Sequence, residues 1–295
     1  MTNQETQARP PSYVQRDASP LGTRVEPPYF FGLHERWTDI AEDPFSTVGW
    51  IDHCEAGAKA LGVGLGKPSP WARWSLKRLA KRLLRGGDIP NYLSIPLGVI
   101  RETINRTGHI RVLDIGGGYG DNYQLLSRCL SLSPGQLTFH VVDNKRSCLL
   151  GERLFGTSAE GLSFSDAIPQ EKYDLVIVIG TLQYIRDWRG FLASVASVSS
   201  GAIYISRTPM RLDGSTFITL QSICPATGSH ALRKVGEANV SVIGSEDLRL
   251  TMQANGYQLD TEKLHADYSQ NFTRLPDAYR NIAYVGSLWK NLRKA

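Results

Sequence analysis

Cysteine is scarce and scattered. The four in the chain, Cys54, Cys129, Cys148 and Cys224, form no Cys-x-x-Cys pair and no Cys/His cluster, so neither a metal site nor a disulfide framework is expected. No run approaches the roughly 18 unbroken apolar residues of a membrane span, and no basic start leads into an apolar core as in a secretion signal. A cytoplasmic location is the expectation. A Gly-x-x-x-x-Gly-Lys-Ser/Thr phosphate loop is also missing. Chain-wide charge of one sign is absent too. Much of the net charge of +5 sits in Trp71–Gly87, which carries Arg73, Lys77, Arg78, Lys81, Arg82 and Arg85 and no acid. A general nucleic-acid footprint is therefore not indicated.

What is present is an ordinary globular composition, 41% hydrophobic and 21% charged over 295 residues, enough for one large α/β domain with a small addition. Residues 1–28 are polar and proline-rich and read as a disordered tail. Residues 29–107 read as an N-terminal helical extension, dense at first in aromatics (Tyr29, Phe30, Phe31, Trp37, Phe45, Trp50). Within it Trp71, Trp74, Leu79 and Leu83 recur at near-helical spacing among the cations, which predicts an amphipathic helix. Its bland reading is a helix packed on the core with solvated charges; the sharper one is contact with an anionic membrane surface.

After Gly108 the pattern changes to alternating strands and helices. Strands are predicted at His109–Ile115, Leu137–Asp143, Gly161–Phe164, Tyr173–Ile179 and Ala202–Ser206, with helices between them. Ser245–Asn255 reads as a further helix and Asn281–Leu288 as a last strand. The β-α-β-α order implies a doubly wound, Rossmann-like, mostly parallel sheet over residues 108–295, with an insertion at about 208–244.

In such a sheet, ligands bind beyond the carboxyl ends of the strands. The first strand runs into Asp114-Ile115-Gly116-Gly117-Gly118-Tyr119-Gly120. A dinucleotide fingerprint counted from Gly116 would need a small residue at position 121, where the chain has Asp121. A nucleotide-dependent oxidoreductase is thereby disfavoured. An acid ahead of the glycines suits a ligand that carries an ammonium and a sulfonium. Asp143 ends the next strand, where a carboxylate can accept both hydroxyls of a ribose. Asp166 and the backbone N–H of Ala167 follow the third strand, placed for an adenine; a helix N-cap is the equal alternative for Asp166.

This ordered set, together with Asp174–Ile185, resembles the successive motifs of class I S-adenosylmethionine (SAM) dependent methyltransferases over about residues 108–207. The resemblance implies SAM as cofactor, with Asp114, Gly116, Gly118 and Gly120 on the methionine part, Asp143 on the ribose and Asp166 with Ala167 on the adenine. Gly180, Thr181 and Leu182 would line the floor near the methyl group. Phe31-Gly32 with Trp37, the triple glycine, Leu182-Gln183-Tyr184-Ile185 and Ser206-Arg207-Thr208-Pro209 are further similar to a family of methyltransferases found with bacterial surface-polysaccharide genes. The segment after Gln221 departs from that pattern, lacking its Tyr-Pro. A small-molecule or saccharide acceptor is the implied partner. Candidate catalytic groups are His230 as a base, Tyr184 as an orienting group and Arg207 as a binder of an anionic acceptor. A non-catalytic SAM-binding or assembly protein is the reading from another functional class.

Overall fold

The computed structural model describes residues 29–63, 89–156, 159–224, 234–265 and 270–292. The polar stretch 1–28, the basic segment 71–87 and His230 lie outside the described residues. Five parallel strands form the centre of the sheet: β2 (Ile110–Ile115), β3 (Leu137–Val142), β4 (Leu162–Ser165), β5 (Tyr173–Ile179) and β6 (Ser199–Arg211). Their spatial order is β4-β3-β2-β5-β6, so the strand order reverses between β2 and β5. Beyond β6 the antiparallel β10 (Ile282–Asn291) pairs along most of its length, and β9 (Tyr257–Leu264) closes that edge.

The two faces bury different side chains of the same strands, because successive residues of a strand point to opposite sides. One face packs Val176, Val178, Ile203 and Ile205 against α5 (Trp188–Val198) and α6 (Ser245–Ala254). The other packs Leu175, Ile177, Ala202 and Tyr204 against α2 (Ser94–Thr107) and α3 (Asp121–Cys129). β5 is buried almost throughout, which is why its sequence is nearly continuous apolar residues instead of an alternating pattern.

A smaller cluster joins α1 (Val48–Ala60) to α4 (Lys145–Phe155). Cys54 and Ala58 pack there with Leu150, Phe155 and Tyr119 of the glycine loop. Helix α1 starts on the Thr47 hydroxyl, which accepts the Trp50 N–H at 3.2 Å, and α4 starts on Asn144, which accepts the Ser147 N–H at 3.0 Å. Such caps satisfy backbone donors that a helix start leaves without an internal partner.

Three departures from the sequence expectations have physical reasons. The stretch 29–107 opens with a strand, β1 (Phe30–His34); its aromatic density reflects a sheet edge in which Phe30 is buried. The insertion holds two strands for which the sequence reading gave no place: β7 (Phe217–Ile223) and β8 (Gly236–Gly244) form an antiparallel pair, and β1 joins β7. β9 carries Asp260, Glu262 and Lys263 on an exposed edge, a charged composition that blunts pairing with another chain and hides the strand from a hydrophobicity pattern.

β6 links the two parts. It pairs with β5 up to Ser206 and with β8 at Met210 and Arg211. Pro209, which has no N–H to give to a ladder, falls between those two partners. The N-terminal segment is held to β8 by Asn239, whose carbonyl accepts the Thr38 N–H and hydroxyl, both at 3.0 Å, and whose amide donates to the Thr38 carbonyl at 2.8 Å. Asn239 is only 5% exposed. Asn239→Ala leaves three Thr38 groups without these partners and should lower unfolding stability by about 1–3 kcal/mol, measurable by urea denaturation.

Candidate functional site

The reversal of strand order between β2 and β5 opens a crevice at the carboxyl ends of the strands, and the glycine loop lies there. Asp114, on the last turn of β2, is fully buried. Its carboxylate accepts from the Asn122 amide at 3.1 Å and lies directly beneath Gly117, where an added Cβ would come within 2.4 Å of Asp114 Oδ2. Gly116 has φ +73°, and a Cβ there would meet Thr181 Oγ1 at 1.9 Å. Gly118 differs: its φ is +57° and nothing lies within 4 Å of the Cβ position. The loop is thus closed from below by Asp114 and Thr181 and open above Gly118.

Asp143 follows β3 and reaches across to the loop. One carboxylate oxygen accepts the Gly118 N–H at 2.8 Å, and the other accepts the Asn144 N–H at 2.7 Å and its amide at 2.8 Å. The oxygen that accepts from Gly118 keeps a second lone-pair direction for a ligand. Asp166 and Ala167 follow β4 and are exposed at the rim. Gly180, with φ +69°, ends β5 and leads into Thr181 and the buried Leu182. The residues the sequence assigns to a cofactor therefore occupy successive strand ends along one edge of the sheet.

Burial dominates the electrostatics. It holds the carboxyl of Asp114 well above the usual carboxylate range, with the Asn122 hydrogen bond opposing and the neighbouring acids Asp121 and Asp143 adding to the rise. Asp143 is pushed up by burial against the opposing hydrogen bond from Gly118. Asp121 is also raised by burial, with Arg207 opposing. The Cys54 thiol of α1 is pushed up to about 12 by burial and then by Asp121 and Asp143, which places α1 over the same acidic region. Among the described residues no group of His, Cys, Asp and Glu side chains is arranged to hold a metal ion.

On the other side of the crevice the candidate catalytic residues separate. The Tyr184 hydroxyl donates to Gln221 Oε1 of β7 at 2.7 Å, and its ring packs on Phe45 with centroids 4.6 Å apart. Gln221 in turn donates to Gln270 at 2.8 Å. Gln183 is buried; it donates to the Gly180 carbonyl at 3.0 Å and accepts the Thr208 hydroxyl at 3.3 Å, stitching the exits of β5 and β6 together. Arg207 lies beside Gly180, with its guanidinium 5.1 Å from the Tyr92 ring centre. Two groups at this site went unassigned from sequence. Tyr92 lies in a segment read only as helical extension, and Asp121 entered the reading only as a mismatch with a dinucleotide loop.

No family model matches the chain, and no curated protein matches it. Solved structures do. One is an S-adenosylmethionine-dependent methyltransferase from Clostridium acetobutylicum, 14% identical, with 73% of this chain and 97% of that chain covered and a TM-score of 0.47. Another is the magnesium protoporphyrin IX methyltransferase of Synechocystis with bound SAM, 13% identical, covering 86% and 100% at a TM-score of 0.46. A third is the O-methyltransferase from a trans-AT PKS multienzyme of Brevibacillus brevis, in complex with S-adenosyl-L-homocysteine, 15% identical, covering 74% and 77% at a TM-score of 0.47. At these identities the functional reading rests on the chain's own residues.

The raised carboxyls give a definite sign of pH dependence. The folded protein retains protons that the unfolded chain, with carboxyls near the ordinary pKa of about 3.9, has already released. Stability of the ligand-free protein therefore falls as pH rises from that value through the raised pKa values. Asp114→Asn removes the most deeply buried of these charges. Its thermal midpoint in the ligand-free state should exceed that of the unaltered protein at pH 7 and vary less with pH; a lower midpoint at pH 7 would contradict this account.

Proposed function

We propose that this chain is a SAM-dependent methyltransferase acting on an oxygen of a saccharide or related polyhydroxylated small molecule. One observation carries the cofactor part. Among the described residues the glycine loop is open above Gly118, and three buried or half-buried carboxylates, Asp114, Asp121 and Asp143, converge on it with raised pKa values. A site that concentrates negative charge in a dry setting favours a cationic ligand, and the sulfonium and ammonium of SAM supply that charge. Asp121 at the last position of the loop disfavours a dinucleotide, whose pyrophosphate it would repel.

In this reading Asp143 would hold the ribose hydroxyls, Asp166 and the Ala167 N–H the adenine at the rim, and the Asp114–Gly120 loop the methionine part. When bound, SAM supplies a methyl group already activated by its sulfonium. The protein's task is then alignment of the acceptor. Gly180–Leu182 forms the floor of that region. The amides and hydroxyls of Gln183, Thr208, Tyr184, Gln221 and Gln270 form a polar wall beside it, which supports an acceptor rich in hydroxyl groups. Because Tyr184 and Gln183 are engaged within the wall, they shape the acceptor site; His230 remains the proposed base for an acceptor hydroxyl.

Calorimetry with SAM, S-adenosylhomocysteine and NAD tests the cofactor. SAM and S-adenosylhomocysteine should bind and NAD should not; a preference for NAD would refute the assignment. Asp143→Ala should weaken SAM binding by about 10-fold or more, the loss typical of a charged hydrogen-bond acceptor. Incubation with methyl-labelled SAM and extracts of the source cell should label a carbohydrate-containing product, and a labelled protein or nucleic acid in its place would overturn the acceptor class.

A further inference from the structure

Away from the crevice, the α5/α6 face of the sheet keeps a cavity of about 210 Å³ where α6 meets the outer strands β9 and β10. Its floor and walls are Ile205, Met210, Leu248, Leu259, Val285 and Trp289. All of these but the half-buried Leu259 are buried. The cavity has a cause in the sequence. Side chains two apart on a strand share a face, and of the three that β10 turns toward it, Val285, Ser287 and Trp289, the middle one is small. The indole of Trp289 is kept from filling the room, because its Nε1–H donates to the Ser287 hydroxyl at 2.9 Å. Leu212, 48% exposed, stands at the mouth.

The charged residues of the cavity are Glu246, Arg249 and Glu262. Arg249 is already committed: it donates to Glu246 at 2.7 Å and to Gln253 at 2.9 Å. Glu262, exposed on β9, makes no ion pair among the described residues. Lys263 and Lys290, on the same two strands, are engaged elsewhere, with Ser94 and Asp260. Two carboxylates against one guanidinium leave the mouth with a net negative charge. The start of α6 does not reverse this sign, since Glu246 and Asp247 occupy its first turn, where acids answer the helix dipole. An apolar lining with a few placed polar groups is the usual make-up of a small-molecule site, and here the charge selects a cation. An apolar cavity of about 150 Å³ holds a benzene, so this one has room for a ring and a short arm. We propose that the cavity binds a small amphiphilic cation, an arylalkyl or short alkyl amine, with its apolar body against Trp289 and Leu259 and its ammonium at Glu262. This inference does not rest on the SAM reading, and no residue assigned to the cofactor lines the cavity. Ile205 in its floor adjoins Ser206, whose carbonyl accepts the Gly180 N–H at 2.8 Å, so the backbone of β6 connects it to the crevice.

The test uses phenylethylamine, phenylethanol and phenylacetate, which share a ring and differ in the charge of the arm. Binding to the full chain is read from the indole N–H signal of Trp289 in NMR, identified by its loss in Trp289→Phe. The amine should move this signal and bind about 3-fold more tightly than the alcohol, the scale of an exposed ion pair, with the carboxylate weakest. Glu262→Gln should bring the amine down to the alcohol and leave the alcohol unchanged. Leu259→Trp should fill the cavity and abolish binding of all three probes. Ser287→Val, which fills it from the neighbouring strand, serves as the second such variant, and a retained thermal unfolding transition certifies that each is folded. No movement of the signal, a preference for the carboxylate, or binding that survives both fillings would overturn the inference. Displacement of the amine by S-adenosylhomocysteine would put it in the acidic crevice, and a Trp289 signal that shifts with protein concentration would give the cavity to a second copy of the chain; either result also overturns it.

Discussion

A carboxylate with almost no company organises this molecule. Asp114 is fully buried at the end of β2, held by the Asn122 amide and covered by the backbone of Gly117. A buried charge is costly unless compensated, and the compensation supplied by the chain itself is small. Everything around it follows from that deficit. Gly117 has to lack a side chain because the carboxylate occupies its place. Asp143 braces the loop from the neighbouring strand through the Gly118 N–H. Arg207, across the crevice, supplies a nearby positive charge, directed chiefly at Asp121. The fold leaves this pocket electrically unfinished, which is what supports the cationic ligand proposed above.

The same crevice is bounded by two kinds of surface. On the glycine-loop side, backbone and carboxylates dominate, and α1 lies across them through Cys54, Ala58 and Tyr119. On the other side lie two sets of tied amides and hydroxyls, Thr208 with Gln183, and Tyr184 with Gln221 and Gln270. A buried polar network of this kind is rigid when its members are satisfied. The first surface is acidic and open above Gly118; the second is braced by hydrogen bonds and carries Arg207.

The parts of the fold that the sequence made legible are those in which a local pattern and a tertiary role coincide. β5 is apolar because both of its faces are covered, and the glycines at 116, 118 and 120 have the positive φ that a tight turn needs. Asp114 and Asp143 could be located because strand ends can be counted. The antiparallel leaf of β1, β7 and β8 was not legible. β1 is five residues long with a glycine in its middle, and its partner lies nearly two hundred positions away, so no local period announces the pairing. Tyr92 was hidden for a similar reason: an aromatic residue ahead of a helix looks like core until Arg207 is found over its ring. The positive φ of Arg207 is a backbone property that no side-chain pattern encodes.

β6 carries a consequence of its own. Its first half belongs to the parallel sheet that holds the cofactor loop, and its last residues, Met210 and Arg211, are where β8 attaches. Between them lie Arg207 with its positive φ and Pro209, which faces Tyr284 of β10 and neither β5 nor β8. One continuous strand thus serves as foundation for one surface and as mast for another. The leaf of β1, β7 and β8 reaches the exit of β5 through Tyr184, whose hydroxyl donates to Gln221 of β7. The common base of the two surfaces is therefore the stretch of β6 from Ser206 to Arg211.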